Sequence, residues 1–384
     1  MKKPVGLAQT FRELYGGQPR VYRAPGRVNL IGEHTDYNEG LVMPAAIDFS
    51  TSVAIDARDD RRIVVRSGNF SETAGLDLDQ PPAHGRGHWS DYPFGVAIKL
   101  EAAGQKLRGA NILVRGDLPI GSGLSSSAAI EVATGLALLE LADASIDRLE
   151  LAKLCQEAEN EFVGMRCGLM DQFISCFGQT GHALILDCRS LDYQLLPLPR
   201  RVKLVVCNTM VKHELATSEY NARRAECEEG VRLLARQFAE VQSLRDVTMD
   251  NLERVKSELP EVVHRRCRHV VSENGRVAAA SEALQHEDLE AFGRLMGESH
   301  RSLRDDYEVS CKELDLMVEL ASKAGGVVGA RMTGGGFGGC TVNLVESDSV
   351  DSFAEAVAKG YAKDTGREPE IYVCSPAQGA ERVE

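Results

Sequence analysis

The segment GRVNLIGEHTDY, Gly26–Tyr37, brings an arginine, a glutamate, a histidine and an aspartate into one short turn-bounded stretch. Arg27 is followed by Val28, Leu30 and Ile31, apolar residues that read as a strand entering a core. Gly32 is where that strand should break into a loop, and Glu33, His34 and Asp36 follow it. A rigid strand that delivers hydrogen-bonding groups into a loop is a common way to build a binding site. Two carboxylates beside a histidine suit a polyhydroxylated ligand, because each sugar hydroxyl both donates and accepts. A solvated surface turn could carry the same residue types, so the rest of the chain has to decide.

Two glycine-rich loops compete for a phosphate. The first, LPIGSGLSSSAA at Leu118–Ala129, lies between the strand-like ANILVRGD and a helical pattern. Gly121 and Gly123 lack the Cβ atoms that would hold a backbone away from an anion. Ser125, Ser126 and Ser127 then open a helix whose free N–H groups and dipole attract negative charge. One of these hydroxyls can ligate magnesium. The loop has no GK[ST] ending, so it is not a Walker A motif. The second loop, TGGGFGG at Thr333–Gly339, superficially matches a dinucleotide fingerprint. That fingerprint must run into a helix, and the strand-like CTVNLV follows instead. It is expected to be a flexible glycine turn packed against the first loop. Glu159 in QEAENEFVG and Asp171 in GLMDQF remain. Beside a phosphate loop, a metal ligand and a catalytic base are the missing parts of a phosphotransferase.

The elements that must position these groups alternate without a regular βαβα repeat, which favours α+β over a doubly wound sheet. Short β-branched runs from Arg20 to Arg66 predict an antiparallel meander. Residues 71–88, rich in Asp, Gly, Pro and His, predict an exposed excursion. A helix is expected around 90–103, then the strand ANILVRGD, then helices at 125–141 and 147–162, each behind a capping residue. GHALILDCRS and VKLVVCNT return to strand on either side of LLPLPRR, and this stretch near 195–201 is the expected boundary between residues 1–198 and 199–384. Beyond it, 216–240, 247–258, 262–284, 287–299 and 310–324 show helical spacing. Strand–loop–strand over the second glycine loop, a helix at 349–363 and the strand PEIYVCSP close the chain.

With 384 residues there is enough chain for two domains or one large one. The net charge of −13 argues against a nucleic-acid or anionic-membrane surface, so any phosphate must be held by local dipoles, a metal or a few placed cations. The ten cysteines form no CxxC pair, the pattern of reduced intracellular thiols. Neither a signal peptide nor a membrane-length apolar run is visible, and a cytoplasmic protein is expected.

Taken together, GRVNLIGEHTDYNEG, LPIGSGLSSSAA, CGLMDQF, SEYNARRAEC and MTGGGFGGC resemble segments of the galactokinases, within the GHMP small-molecule kinases. The serine loop and the late glycine loop belong to the wider group; the first segment is specific to galactokinase-type sugar kinases. The resemblance implies a two-domain α+β fold, an N-terminal half with a left-handed βαβ crossover and a ferredoxin-like C-terminal half, the site between them. It implies phosphorylation of galactose at C1 with ATP and Mg2+. Glu33, His34, Thr35, Asp36 and Tyr220 would hold the sugar. Asp171 would be the base on the anomeric hydroxyl, with Arg27 beside it keeping it ionised and stabilising transition-state charge. Gly121, Ser122, Gly123, Leu124, Ser125, Ser126 and Ser127 would wrap the ATP phosphates, with Ser127 and Glu159 toward magnesium and Ser67 toward the nucleotide. The wording departs from the family's at Trp89–Gly95, where Pro93 and Phe94 stand in for more usual residues. Kinases for N-acetylgalactosamine or arabinose share the pattern. Non-catalytic galactose sensors are altered in the serine loop, whereas Ser125–Ala129 is whole here. No nucleic-acid or membrane partner is expected, and a monomer is favoured.

Overall fold

The computed structural model describes residues 6–119, 122–211 and 216–384. Its first half runs α1 (Leu7–Tyr15), β1 (Arg20–Asn29), β2 (Leu41–Val42), β3 (Pro44–Ala57), β4 (Arg62–Ser67), β5 (Thr73–Asp77), α2 (Asp91–Ala102), β6 (Ala110–Gly116), α3 (Ser126–Leu141), α4 (Arg148–Glu157), α5 (Met170–Phe177), β7 (His182–Asp187) and β8 (Tyr193–Pro197). The second runs β9 (Val202–Asn208), α6 (Ala216–Leu234), α7 (Met249–Arg254), α8 (Glu261–Gln285), α9 (Leu289–Ser302), α10 (Lys312–Lys323), β10 (Val327–Thr333), β11 (Cys340–Glu346), α11 (Val350–Thr365), β12 (Glu370–Cys374) and β13 (Glu381–Arg382). Single π-helical turns extend α4 and α9, at Ala158–Val163 and Leu303–Tyr307.

The strands form a six-stranded sheet ordered β13-β1-β3-β6-β4-β5, a four-stranded sheet β10-β11-β9-β12 and a three-stranded sheet β2-β7-β8. The second of these, with its connecting helices, is a βαββαβ unit, as the ferredoxin-like expectation requires. In the first sheet the simple meander fails. β6 inserts between β3 and β4, antiparallel to one and parallel to the other. Strand pattern alone does not say which strands are neighbours, and the crossover through α2 carries β6 into that slot. Part of the expected excursion is ordered too, because Thr73–Asp77 pairs with β4 as the sheet edge. β13 returns from the far end of the chain to pair with β1.

VYRAPG and the start of VNLIGE form one strand rather than two, and it ends at Asn29, before the expected break at Gly32. Its register against β3 shifts between Pro25 and Arg27. A Cβ on Gly26 would lie 2.5 Å from the Leu124 carbonyl and 2.4 Å from Leu118 Cδ2, so only glycine lets the bulge meet the loop before α3. Arg27 N–H donates to that Leu124 carbonyl at 3.1 Å.

One hydrophobic cluster joins the halves: Val28, Ile31 and Leu124 pack with Val206, Phe292 and Val342. Each such fully buried side chain contributes about 1.5–3 kcal/mol, so a shared core, rather than a hinge of loops, sets the geometry of the cleft. α3 lies inside the first half, its Val132, Ala133, Ala137 and Leu138 all buried. No described helix is long and apolar enough to cross a membrane, and all ten cysteines are free.

Candidate active site

A cavity of about 420 Å³ opens where β1, the loop before α3, α5 and the turn after β10 converge. Arg27, Glu33, His34, Asp36, Asp171 and Tyr220 line one side of it. Gly123, Leu124 and the serines Ser125–Ser127 line another, with Glu159 and Ser67.

At its centre is a fixed ion pair. Arg27 gives Nε and Nη2 to the two oxygens of Asp171 at 2.7 and 2.8 Å, and Nη1 to the Gly123 carbonyl at 2.7 Å. Such a two-pronged contact sets orientation as well as charge. Arg27 is almost fully enclosed, while the Asp171 side chain keeps 22% of its surface exposed, so the carboxylate is the partner that faces a ligand. Ser125 Oγ donates to Asp171 Oδ2 at 2.5 Å. Here the expectation of a serine cap fails. Ser125 adopts a left-handed φ of 59°, caps nothing, and spends its hydroxyl on Asp171. Asp147 does cap α4, accepting from Glu150 N–H at 2.8 Å.

The turn after β1 holds the other acids. Glu33 accepts from Gly334 N–H at 2.7 Å and faces Arg331 at 3.6 Å. Burial raises its pKa, opposed by Arg331 and Arg27. Asp36 is packed against Gly168, where a Cβ would sit 2.1 Å from Oδ2. Burial, reinforced by the charge of Asp171, pushes its pKa up to about 7. Thr35 does not line the cavity. Its buried hydroxyl instead lies 2.9 and 2.7 Å from the Gly32 and Leu41 carbonyls, tying the turn. Tyr220, on α6, rests its ring 5.3 Å from His34 and 5.5 Å from Tyr37.

On the loop side, Gly121 lies outside the described residues. Ser122 turns its hydroxyl away to the Pro119 carbonyl at 2.6 Å, so only its backbone is left for a ligand. The second glycine loop packs against the first: a Cβ on Gly334 would meet the Gly123 carbonyl at 2.8 Å, and one on Gly339 the Ser122 carbonyl at 3.0 Å. Ser126 and Ser127 occupy the first turn of α3, where unpaired N–H groups and the helix dipole favour an anion. Glu159, in the π turn, takes a hydrogen bond from Gln172 Nε2 at 2.6 Å and one from the Ser127 hydroxyl. Burial and the nearby Asp171 push it up to about 7. Ser67 Oγ accepts from the Phe70 and Asn69 N–H groups at 3.1 and 3.3 Å. Phe70 and Trp89 flank that end of the cavity with rings 6.3 Å apart.

Models of the galactokinase galactose-binding signature, the GHMP kinase N-terminal domain and the GHMP kinase C-terminal region match residues 9–57, 91–179 and 280–363. A galactokinase from a Roseiflexus species is 48% identical over 98% of this chain and 96% of its own. One from Chloroflexus aggregans is 50% identical over 97% and 96%. The crystal structure of Lactococcus lactis galactokinase complexed with galactose superposes with a TM-score of 0.95 at 38% identity, covering 98% of this chain and 99% of that one. The chain belongs to the galactokinase family.

Its galactokinase signature spans Arg27 through Asp36, and the N-terminal kinase region spans the serine loop, Glu159 and Asp171. Sequence reasoning missed what supports these groups. Arg331, fully buried on β10, is the cation behind Glu33; its one signal was an arginine inside the apolar run VVGARMT. Removing one partner of a buried pair of this kind typically costs about 3–5 kcal/mol. Glu131, buried in α3, accepts from the same Gln172 amide at 2.9 Å, and burial with the nearby Glu159 holds its pKa well above the usual carboxylate range. A lone charge in the apolar stretch AAIEVATGLALL was its signal.

Proposed function

We propose that this protein transfers the γ-phosphoryl group of ATP to the C1 hydroxyl of galactose, releasing galactose 1-phosphate and ADP. The observation that carries the reading is the Asp171 carboxylate, clamped by Arg27 and Ser125 at the junction of the acidic turn and the serine loop. The sugar lies against Glu33, His34, Asp36 and Tyr220, with its anomeric hydroxyl at Asp171. Asp171 takes the hydroxyl proton as the oxygen attacks the γ-phosphorus. Arg27 holds the carboxylate in line and adds positive charge where the transferring group develops negative charge. Backbone N–H groups of the serine loop and the α3 N-terminus receive the phosphates, and the nucleobase lies at the Phe70–Trp89 end. The ten free thiols suit a cytoplasmic setting.

Magnesium fits the residues present. Ser127 and Glu159 offer hard oxygen donors on one wall, and Glu159 is a buried acid crowded by Asp171 and close to Glu131, a position that a cation would relieve. When bound, the ion would neutralise charge on the β- and γ-phosphates.

A coupled ADP-release assay across a panel of sugars tests the reading. Galactose-dependent ADP is expected; its absence at saturating ATP and magnesium would overturn the proposal, and preferential turnover of N-acetylgalactosamine or arabinose would reassign the substrate. For the metal, Ser127→Ala and Glu159→Gln are expected to raise the magnesium concentration at half-maximal rate while calorimetric galactose binding stays nearly unchanged. An unaltered magnesium titration in both variants would remove them from the metal's surroundings.

A further inference from the structure

Behind His34 runs a chain of hydroxyl and thiol groups that the proposed reaction does not use. His34 Nδ1 lies 2.8 Å from Tyr37 Oη, Tyr37 Oη lies 2.8 Å from Tyr307 Oη, and Cys227 Sγ lies 3.1 Å from Tyr307 Oη. On the opposite edge of the imidazole, Nε2 is buried with no hydrogen bond of good geometry in a residue that lines the cavity, the Gly335 backbone lying near enough to favour a proton on the ring. His34 has φ +62°, a left-handed conformation uncommon outside glycine. Asn38 Nδ2 pins it there by donating to the His34 carbonyl at 2.9 Å. The rings of Tyr307 and Tyr220 pack 4.8 and 5.3 Å from it, so its orientation is set by contact.

Burial, aided by His269 and opposed by the Gly335 backbone, pushes the His34 pKa down to about 3. The ring is therefore neutral and carries a single N–H. Which nitrogen holds that proton decides whether the cavity receives a donor or an acceptor. One chemical preference answers this. Burial pushes the Cys227 thiol up to about 11, so it keeps its proton and can follow whichever direction the chain takes. At the other end, a basic ring nitrogen accepts from a phenol more readily than a phenol oxygen accepts from the ring. Each group in between has one proton, so the direction set at His34 propagates along the chain.

We infer that a donor chain running Cys227 to Tyr307 to Tyr37 to His34 Nδ1 fixes His34 with its proton on Nε2, making it a hydrogen-bond donor to the sugar and Tyr37 and Tyr307 its positioning residues. Glu33 and Asp36 accept from sugar hydroxyls; His34 gives a hydrogen bond to a hydroxyl oxygen. With the chain reversed, the His34 edge would present a third acceptor beside those two carboxylates. That the N–H meets a sugar rests on the sugar-kinase reading above, whereas the tautomer does not depend on it.

The test is a long-range 1H–15N correlation spectrum of the 15N-histidine-labelled protein without sugar, with His34→Gln used to assign the resonances. Wild-type His34 is expected to show a protonated Nε2 and an unprotonated Nδ1. Tyr37→Phe removes the donor to Nδ1 and should populate the other tautomer, with Tyr307→Phe shifting it less, because the Tyr37 hydroxyl remains. In kinetics, Tyr37→Phe should raise the galactose KM by about 5–10-fold, the weight of one good hydrogen bond, with a smaller change in kcat and none in the KM for ATP. A protonated Nδ1 in the wild type, or a Tyr37→Phe spectrum identical to wild type, would overturn the inference. Failure of the wild type to turn over galactose would instead strike the substrate reading, since the spectrum is read on the free protein.

Discussion

Asp171→Asn is expected to lower kcat by roughly 10²–10⁴-fold, the usual contribution of a placed general base, while the thermal unfolding midpoint stays close to wild type. Asparagine keeps the shape of the side chain and one carbonyl acceptor for the Arg27 guanidinium, but it cannot take a proton. Its amide faces an Arg27 N–H either way: Nε where it replaces Oδ1, or Nη2 together with the Ser125 hydroxyl where it replaces Oδ2. With the amide in the Oδ1 position Ser125 and Arg27 Nη2 keep their acceptor and only the Nε contact is lost, on a side chain 22% exposed, so the fold should absorb the change. Arg27→Lys should also reduce kcat, because a single ammonium cannot reproduce the fork that spans both Asp171 oxygens and reaches Gly123. Rapid-quench measurement of the chemical step, beside a melting curve, separates loss of catalysis from loss of fold. Near-normal kcat in Asp171→Asn would show that Asp171 orients the sugar without acting as its base.

Glucose is expected to be a very poor substrate, with kcat/KM roughly 10⁴–10⁵ below galactose, because a site built to bond a hydroxyl strongly rejects an analogue that misplaces it. The two sugars differ only in the orientation of the C4 hydroxyl. In this cavity the misplaced group would leave a buried carboxylate of the Glu33–Asp36 turn, or the His34 edge, without its partner, at about 1–3 kcal/mol for each group. Tyr220 is the position from which to probe this, since its ring packs on both His34 and Tyr37 and a change to phenylalanine alters no formal charge. Tyr220→Phe should relax the galactose-to-glucose ratio more than it weakens ATP. The comparison is kcat/KM for both sugars in wild type and variant. An unchanged ratio in Tyr220→Phe would mean that Tyr220 does not read the sugar. Equal turnover of both sugars by the wild type would undo the pocket itself.

The residue types and their local spacing determined much of this by themselves. GEHTDY after an apolar strand, the serine-rich opening of a helix and the two glycine-rich runs are features of a few consecutive residues. Their chemistry follows from backbone geometry that the same residues impose. Helix positions were legible for the same reason, since periodic burial along α8, α9 and α11 is a local property. What only the tertiary structure decided are the partners. Arg27 and Asp171 are 144 residues apart, and Glu33 and Gly334 301; nothing local to either member of a pair says that the other will reach it. The insertion of β6 between β3 and β4 was equally invisible, because hydrophobic alternation marks a strand without naming its neighbours. Thr35, Ser122 and Ser125 show the same limit within the motifs themselves. A hydroxyl can serve a ligand, a turn or a neighbouring carboxylate, and the choice falls to whichever acceptor the packed chain brings within about 3 Å of it.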